Sequence, residues 1–142
     1  MGVAAGQRAS VDAVVADADT AISAGSGDVP VLATPRLLAL AEAAAVAAIA
    51  PHLSPGMTSV GTSASLEHRR ASPVGAEVVV EAELTEVDGR RLVFSFIARE
   101  SPGAGGAGAG DGGEDLVVGA GTVERVLVDR VAFLARAAGH RP

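Results

Sequence analysis

The 142-residue sequence contains no cysteine, no tryptophan, no tyrosine and no lysine, and only three phenylalanines. The absence of cysteine excludes disulfides, zinc-thiolate sites, iron–sulfur ligation and a thiol nucleophile. Any enzymatic nucleophile must therefore be an oxygen atom of a side chain or of water. With so few aromatic side chains the core has to be built from Val, Leu, Ile and Ala. Because these are small, its elements are expected to approach one another closely.

Positive charge is also scarce, because 11 basic residues face 17 acidic ones and the formal net charge is −6. Neutralising nucleic-acid phosphates needs clustered positive charge, and the arginines are scattered, so no nucleic-acid partner is expected. The N-terminus has no charged-then-apolar signal pattern, and the longest apolar run, residues 37–50, is interrupted by Glu42 and short for a bilayer span. Hydrophobic residues make up 49% of the chain, enough to bury a core. We expect a single domain, residues 1–142, that is soluble, cytoplasmic and without a membrane partner.

The segment 34–50 has the strongest local signal, and it predicts a helix. Thr34 is a suitable N-cap, Pro35 suits the first helical position, the following Leu and Ala residues favour helix, and Pro51 ends it. The helix is apolar on every side, which is typical of a helix enclosed by protein. The rest of the chain is therefore expected to surround it.

Five segments predict the β-strands that surround this helix. They are a weak signal at 10–16 and stronger ones at 59–69, 76–85, 92–98 and 116–128. Within 76–85, apolar residues alternate with glutamates, as in a strand with one dry and one wet face. Asp88-Gly89 predicts a type I′ hairpin turn, and residues 130–138 predict a short terminal helix. The predicted fold class is α+β, with a five-stranded antiparallel sheet, its strands in consecutive order, around one long buried helix.

Residues 102–114 are rich in glycine, a composition that a phosphate-binding loop shares. A dinucleotide or phosphate cradle must open directly into a helix, whereas a strand is predicted here, and no lysine is present to complete a P-loop. We therefore predict a flexible hairpin loop.

Three side chains could carry chemistry, and each also has a structural explanation. Glu42 is the one charged residue of the apolar helix, where an isolated carboxylate would cost roughly several kcal/mol, so it either pairs with an arginine, reaches a gap in the sheet or is functional. His68 can act as a general base near neutral pH, or be an ordinary surface or core histidine. Thr34 is either a structural N-cap or a hydroxyl beside free backbone N–H groups that can stabilise an oxyanion. His52, which suits the helix C-terminus, and His140, in the tail, are weaker candidates.

Short motifs spread over most of the chain carry a further signal. In order they are Val31-Leu32-Ala33-Thr34-Pro35, Glu42-Ala43-Ala44, Pro51-His52-Leu53, Val60-Gly61-Thr62, His68, Ala71-Ser72-Pro73-Val74-Gly75, Val87-Asp88-Gly89-Arg90-Arg91-Leu92 and Gly119-Ala120-Gly121-Thr122-Val123-Glu124-Arg125. This combination resembles the fluoroacetyl-CoA thioesterase-like family of hotdog-fold thioesterases. The resemblance implies a hotdog fold, acyl-CoA thioester hydrolysis, a catalytic Thr, Glu and His that fall on Thr34, Glu42 and His68, and a pocket glycine that falls on Gly61.

The resemblance leaves the acyl group open. The family member specialised for fluoroacetyl-CoA is expected to carry aromatic residues just before the threonine, whereas this chain has Gly27-Asp28-Val29-Pro30-Val31-Leu32, so another short or medium acyl group is expected. Arg125, Arg69 and Arg70 are candidates to contact CoA phosphates, or are solvated surface arginines. No metal and no cofactor is expected, CoA being part of the substrate. The family also implies a homodimer or larger assembly with sites at the subunit interface.

Two mechanisms remain open at this point. In one, Thr34 is the nucleophile, His68 takes its proton and Glu42 orients the imidazole; in the other, Glu42 or His68 activates water and Thr34 only hydrogen-bonds. Eight helical residues rise about 12 Å, so Thr34 and Glu42 cannot touch within one straight helix. Either Thr34 precedes the first turn and folds back, or the ligand or a second subunit bridges the two. The alternative function is a non-catalytic hotdog module that binds acyl-CoA or an apolar ligand, and retention of all three residues weighs against it.

Overall fold

The computed structural model describes residues 2–101 and 116–139. Its strands are β1 (Arg8–Val14), β2 (Met57–His68), β3 (Glu77–Asp88), β4 (Arg91–Glu100) and β5 (Leu116–Asp129). Its helices are α1 (Ala21–Ala24), α2 (Thr34–Ile49) and α3 (Arg130–Gly139), with 3₁₀ turns at Asp17–Asp19 and Ala50–His52. The predicted α+β class, with five antiparallel strands and one long helix, is confirmed.

The five strands form one antiparallel sheet in the order β1-β3-β4-β5-β2. The expectation of consecutive order is wrong at one point, because β2 pairs with β5 and not with β1. The connection between β1 and β2 contains α2, whose 16 residues rise about 24 Å, enough to cross four strand spacings of about 4.8 Å. The chain therefore returns at the opposite edge, and β1 and β2 are the two edges of the sheet.

The core lies between α2 and one face of the sheet, with α2 packing mainly on β1 and β3. The dry faces predicted for β3 and β4 are buried as expected: Val78, Val80, Ala82, Leu84, Leu92, Phe94, Phe96 and Ala98. They meet the buried side of the helix: Leu37, Leu40, Ala41, Ala44, Ala45, Ala48 and Ile49. Four of these seven helical residues are alanines, so the helix backbone can lie close to the sheet.

The start of α2 differs from the prediction by one residue. Ala33 is the N-cap and Thr34 is the first helical residue, so Thr34 makes no capping hydrogen bond and Pro35 is the second residue. The Ala33 amide donates to the Asp19 carbonyl at 2.9 Å, which fixes the entry to the helix through the backbone. The Thr34 hydroxyl is therefore available for another partner.

The expectation that α2 is enclosed on every side is wrong for the described chain. Ala39, Ala43, Val46 and Ala47 form an exposed apolar stripe, with Val46 41% exposed. The sheet covers one side of the helix, because a single sheet layer contacts only one helix face. Together with the 3₁₀ turn that follows it, α2 spans 19 residues with mean hydropathy 1.3, sufficient by length and composition for a membrane span. Its packing on the sheet is that of a core helix.

The β3–β4 hairpin lies where the sequence predicts it, but its turn is of another type. Asp88 pairs with Arg91, so the two central residues are Gly89 and Arg90, and of these only Gly89 has a positive φ, 62°. A type I′ turn needs positive φ at both central positions, whereas a type II′ turn needs it only at the first. The turn therefore has the type II′ pattern, shifted by one residue from the prediction.

The terminal helix predicted at 130–138 is present as α3. The glycine-rich loop predicted at 102–114 lies outside the described residues. That residues 1–142 form a single domain remains a prediction.

Candidate active site

The N-terminus of α2 and the end of β2 bring Thr34 and His68 together. Thr34 Oγ1 lies 2.8 Å from His68 Nδ1. The chain just after β2 is fixed to β5, because the amides of Arg69 and Arg70 both donate to the Val118 carbonyl, at 2.7 and 3.1 Å. The predicted hydroxyl and the predicted base are thus in hydrogen-bond contact within one chain.

The environment of His68 favours its neutral form. Burial lowers the pKa of the imidazole, and an interaction with the backbone of Arg70 partly opposes this. The other ring nitrogen, Nε2, is buried and has no hydrogen-bond partner among the residues described. In the tautomer with its proton on Nε2, the ring accepts a hydrogen bond from the Thr34 hydroxyl. Nδ1 can then take a proton from Thr34 or from a water molecule in the same place.

Glu42 lies about two turns further along α2 and has a different partner. Its Oε2 accepts a hydrogen bond from NH1 of Arg125 at 3.1 Å. Arg125 is only 8% exposed. Burial lowers the pKa of its guanidinium and the Glu42 carboxylate opposes this, but an arginine remains charged at any pH at which the protein is folded. The structural pairing of Glu42 with an arginine, one of the sequence-based explanations, is present.

Gly61 adjoins this ion pair. It lies opposite Arg125 in the β2–β5 ladder, and a β-bulge follows between Gly61 and Ser63. A Cβ atom at Gly61 would lie 2.5 Å from Oε2 of Glu42 and 3.4 Å from NH1 of Arg125. The position predicted to be a pocket glycine is therefore one where a side chain would collide with the carboxylate.

Within one chain the predicted site residues form two separate groups. The rise of α2 separates Thr34 from Glu42 by about 12 Å, and seven residues of β2 separate Gly61 from His68 by about 23 Å. No hydrogen bond in the described part of the chain joins Glu42 to Thr34 or His68. The structure brings Thr34 to His68, and Glu42 to Gly61 and Arg125. The catalytic and binding roles of these residues remain predictions.

A pocket of about 280 Å³ opens beside the Thr34–His68 pair. Most of its other lining residues are small or apolar: Ala21, Gly27, Val29, Val31, Leu32 and Ala71. The segment 27–32, which lacks aromatic residues, thus contributes to its wall. Arg69 and Arg70 also line it. Arg69 pairs with Glu67 at 2.9 Å, whereas Arg70 has no ion-pair partner within the described ranges.

Three residues that no sequence pattern singled out, Ser59, Arg36 and Asp19, hold this region in place. Nε of Arg125 donates to the Ser59 hydroxyl at 2.8 Å, and its NH2 donates to the Ser59 carbonyl at 3.0 Å. Near the start of α2, Nε of Arg36 donates to Asp19 at 2.8 Å. The pKa of Asp19 is lowered, first by a hydrogen bond from the Ala16 amide and then by Arg36. A strand period of two places Ser59 on the same face as Gly61, and no comparable signal marks Asp19 and Arg36.

The weaker histidine candidates stay apart from this region. His52 ends the 3₁₀ turn after α2, as predicted, and lies exposed. His140 is outside the described residues. Within the two described ranges, residues 2–101 and 116–139, no group of three or more His, Asp or Glu side chains is arranged to hold a metal ion. That the protein needs no metal remains a prediction.

Comparisons with known proteins point to one family. Residues 15–131 match the family described as fluoroacetyl-CoA-specific thioesterase. The fluoroacetyl-CoA thioesterase of Streptantibioticus cattleyicolor is 38% identical over 106 residues, which cover 75% of this chain and 67% of the relative. The solved structure of the fluoroacetyl-CoA thioesterase FlK superposes with a TM-score of 0.81 at 32% identity, over 100% of both chains. A thioesterase superfamily member from Thermus thermophilus, at 22% identity and a TM-score of 0.79 over 95% of this chain and 90% of its own, supports the fold. The chain therefore belongs to the fluoroacetyl-CoA-specific thioesterase family and is a thioester hydrolase with a hotdog fold.

Proposed function

We propose that this protein hydrolyses a short or medium acyl-CoA thioester to the free acid and CoA. The observation that carries the proposal is the 2.8 Å contact between Thr34 and His68 at the edge of a pocket with mostly small and apolar walls. Family membership favours the hydrolase over the non-catalytic binding module. The relative's name specifies fluoroacetyl-CoA, but the pocket segment 27–32 has no aromatic residue, which supports a different acyl group for this chain.

The Thr34–His68 pair supports two chemical routes. In the first, Thr34 Oγ1 gives its proton to His68 Nδ1 and attacks the thioester carbon. The C–S bond breaks, the proton passes to the departing CoA sulfur, and water then hydrolyses the acyl-threonine ester. In the second, His68 or Glu42 takes a proton from water, which attacks directly while Thr34 donates a hydrogen bond. Because Nε2 is buried, the imidazole acts through Nδ1 in both routes.

Glu42, Arg125 and Gly61 form the second half of the proposed site. A guanidinium has five N–H donors. Of those in Arg125, three are used within the described chain, on two acceptors of Ser59 and on Glu42. One donor on NH1 and one on NH2 remain to bind the thioester oxygen as it becomes negative. The missing side chain at Gly61 leaves the space that the Glu42 carboxylate occupies beside Arg125. For the CoA phosphates, Arg70 is the proposed contact, because it lines the pocket beside Thr34 and has no ion-pair partner in the described segments.

The two halves of the site support a homodimer formed through β2. The outer edge of this strand pairs with no other described strand, and residues 61–65 on it are small and exposed. An antiparallel β2–β2 pairing about a two-fold axis near residues 64 and 65 places Gly61 of one protomer opposite His68 of the other. Each site then combines Glu42 and Arg125 from one protomer with Thr34 and His68 from the other.

The exposed apolar stripe of α2 also supports the dimer. It adjoins Glu42 on the helix surface, since Ala39 and Val46 lie three residues before and four residues after it. A second copy of this chain is the proposed cover for the stripe.

A panel of acyl-CoA substrates tests the proposed activity. Release of free CoA, followed over time with a thiol reagent, should occur with acyl groups of two to eight carbons, and faster with at least one of them than with fluoroacetyl-CoA. Binding without CoA release across the whole panel would contradict the proposal and support the non-catalytic module.

Other parts of the proposal follow from this substrate. An acyl-CoA carries several negative charges and does not cross membranes, which supports a cytoplasmic location. The protein is proposed to need no cofactor beyond the CoA of its substrate, and no nucleic-acid or membrane partner.

A further inference from the structure

Ser59 is the residue that holds the Arg125 side chain in its observed position. It offers two acceptors to one guanidinium, its hydroxyl at 2.8 Å from Nε and its carbonyl at 3.0 Å from NH2. Among the side chains of the described residues, the only other hydrogen-bond partner of Arg125 is Glu42, at 3.1 Å from NH1. Two of the three contacts that orient the guanidinium therefore come from one serine.

The orientation matters because an arginine side chain is long and flexible. Free rotation about its bonds would allow many guanidinium positions, and fixing one of them has an entropic cost. The Ser59 hydroxyl contacts Nε, the nitrogen nearest the aliphatic stem, and so sets the plane in which NH1 and NH2 point. NH1 then faces Glu42, and Gly61 leaves the space that this arrangement requires.

Removal of the hydroxyl would leave a charged donor without an acceptor in a place where water has little access. Arg125 is 8% exposed, so Nε could not readily exchange Ser59 for solvent. An unsatisfied buried donor is costly, and the guanidinium would rotate to find another acceptor. That rotation would move NH1 away from Glu42.

We propose that Ser59 is a positioning residue of this hydrolase, fixing the Arg125 guanidinium so that it is presented to Glu42 and to the substrate. Ser59 itself contacts neither Thr34 nor His68 and acts only through Arg125. The inference rests on the proposed function, in that Glu42 and Arg125 must take part in thioester hydrolysis.

The kinetic test uses the acyl-CoA that the unaltered enzyme hydrolyses fastest. Ser59→Ala should lower kcat by about 10- to 100-fold, as expected for loss of a hydrogen bond to a charged group, with a change in KM of less than about threefold. Ser59→Thr keeps the hydroxyl and should stay within about threefold of the unaltered enzyme. Ser95→Ala, an exposed serine on β4, is the matched control and should leave kcat unchanged.

A double-mutant cycle distinguishes positioning from a general structural effect. In the Arg125→Gln background, Ser59→Ala should lower the single-turnover rate by less than about twofold, because the guanidinium that Ser59 positions is already lost. An equal loss of rate in both backgrounds, or a Ser59→Ala enzyme with unaltered kcat, would overturn the proposal.

A stability cycle gives a readout that does not depend on activity. Ser59→Ala should lower the unfolding midpoint of the full chain. In the Arg125→Gln background the same substitution should leave the midpoint unchanged. An equal decrease in both backgrounds, which means additive effects, would contradict a stabilising contact between Ser59 and Arg125. If the unaltered protein releases no CoA from any acyl-CoA while this cycle is non-additive, the proposed function fails and the Ser59–Arg125 contact stands.

Discussion

Thr34 Oγ1 lies 2.8 Å from His68 Nδ1, although 34 residues separate the two in the chain. The opposite ring nitrogen is buried and has no hydrogen-bond partner in the described part of the protein. In this arrangement Nδ1, on the side of Thr34, is the ring nitrogen that is placed to exchange a proton. A carboxylate that oriented this ring through Nε2 would have to be buried against that nitrogen, whereas Glu42 is hydrogen-bonded to Arg125. This favours a role for Glu42 at the substrate or at water over a role as orienter of His68.

The lowered pKa of His68 predicts the pH dependence of catalysis. Because burial disfavours the imidazolium, the ring stays neutral below its ordinary value of 6.5. We expect kcat to remain high at pH 6.5 and to fall only as the pH drops through the lowered pKa. A pH profile of kcat measures this, and an acidic midpoint above 6.5 would contradict it.

The same shift predicts a pH dependence of folding stability. Between the lowered pKa of the folded state and 6.5 the unfolded chain binds more protons, so stability rises with pH in that window. The contribution is therefore fully present above pH 6.5 and is lost as the pH falls below it. Urea unfolding measured over this pH range should show the loss of stability in the unaltered protein. The His68→Gln variant, which lacks the imidazole, should not show it.

Gly61→Ala should separate catalysis from folding. The added methyl group would collide with the end of the Glu42 side chain, which is flexible, so the carboxylate moves and the fold persists. We expect kcat to fall about 10- to 100-fold, the range for loss of a charge-assisted contact, with a stability loss of about 1 kcal/mol or less. Gly139→Ala, where no atom lies within 4 Å of the added carbon, is the control. A Gly61→Ala enzyme with unaltered kcat would show that the position of Glu42 is unimportant.

Arg70→Gln tests the proposed contact with a CoA phosphate. With an acyl-CoA substrate, loss of the guanidinium should raise KM about tenfold, the effect of one charged hydrogen bond. With the corresponding acyl-pantetheine, which has no phosphate, KM should not change. Arg136→Gln, an exposed arginine on α3, provides the matched control. An equal rise in KM with both substrates would place the contact elsewhere on the substrate.

The sequence predicted those parts of the fold that depend on local pattern. Alternation identified the buried faces of β3 and β4, and helix propensity identified α2 to within one residue. The pairing of β2 with β5 and the exposed stripe of α2 could not be predicted in this way. Both depend on the position and direction of α2 on the sheet, which local sequence patterns do not specify. Such placement is set by packing between distant segments.

The candidate site shows the same division. The local sequence indicates that Glu42 needs a partner or a function, because it is a charged residue in an apolar helix. Its partner Arg125 lies 83 residues away, and no spacing rule connects the two. The resemblance to a family, and not the residue pattern, identified Thr34 and His68 as partners. Ser59 was missed because a serine in a strand has no distinctive chemistry until its contact with Arg125 is known.

The proposed division of each site between two protomers predicts complementation. A Glu42→Gln chain and a His68→Ala chain should each be nearly inactive alone. If they are co-expressed with different affinity tags, about half of the dimers contain both chains, and one of the two sites in such a dimer has both residues intact. The unselected mixture should therefore regain about a quarter of the unaltered activity, and dimers purified through both tags about half.

A mixture of Thr34→Ala and His68→Ala chains is the matched control. Because these two residues come from the same chain, every site in that mixture lacks one of them, and activity should not return. Restoration in the control, or none in the first pair although mixed dimers are recovered through both tags, would contradict the shared site.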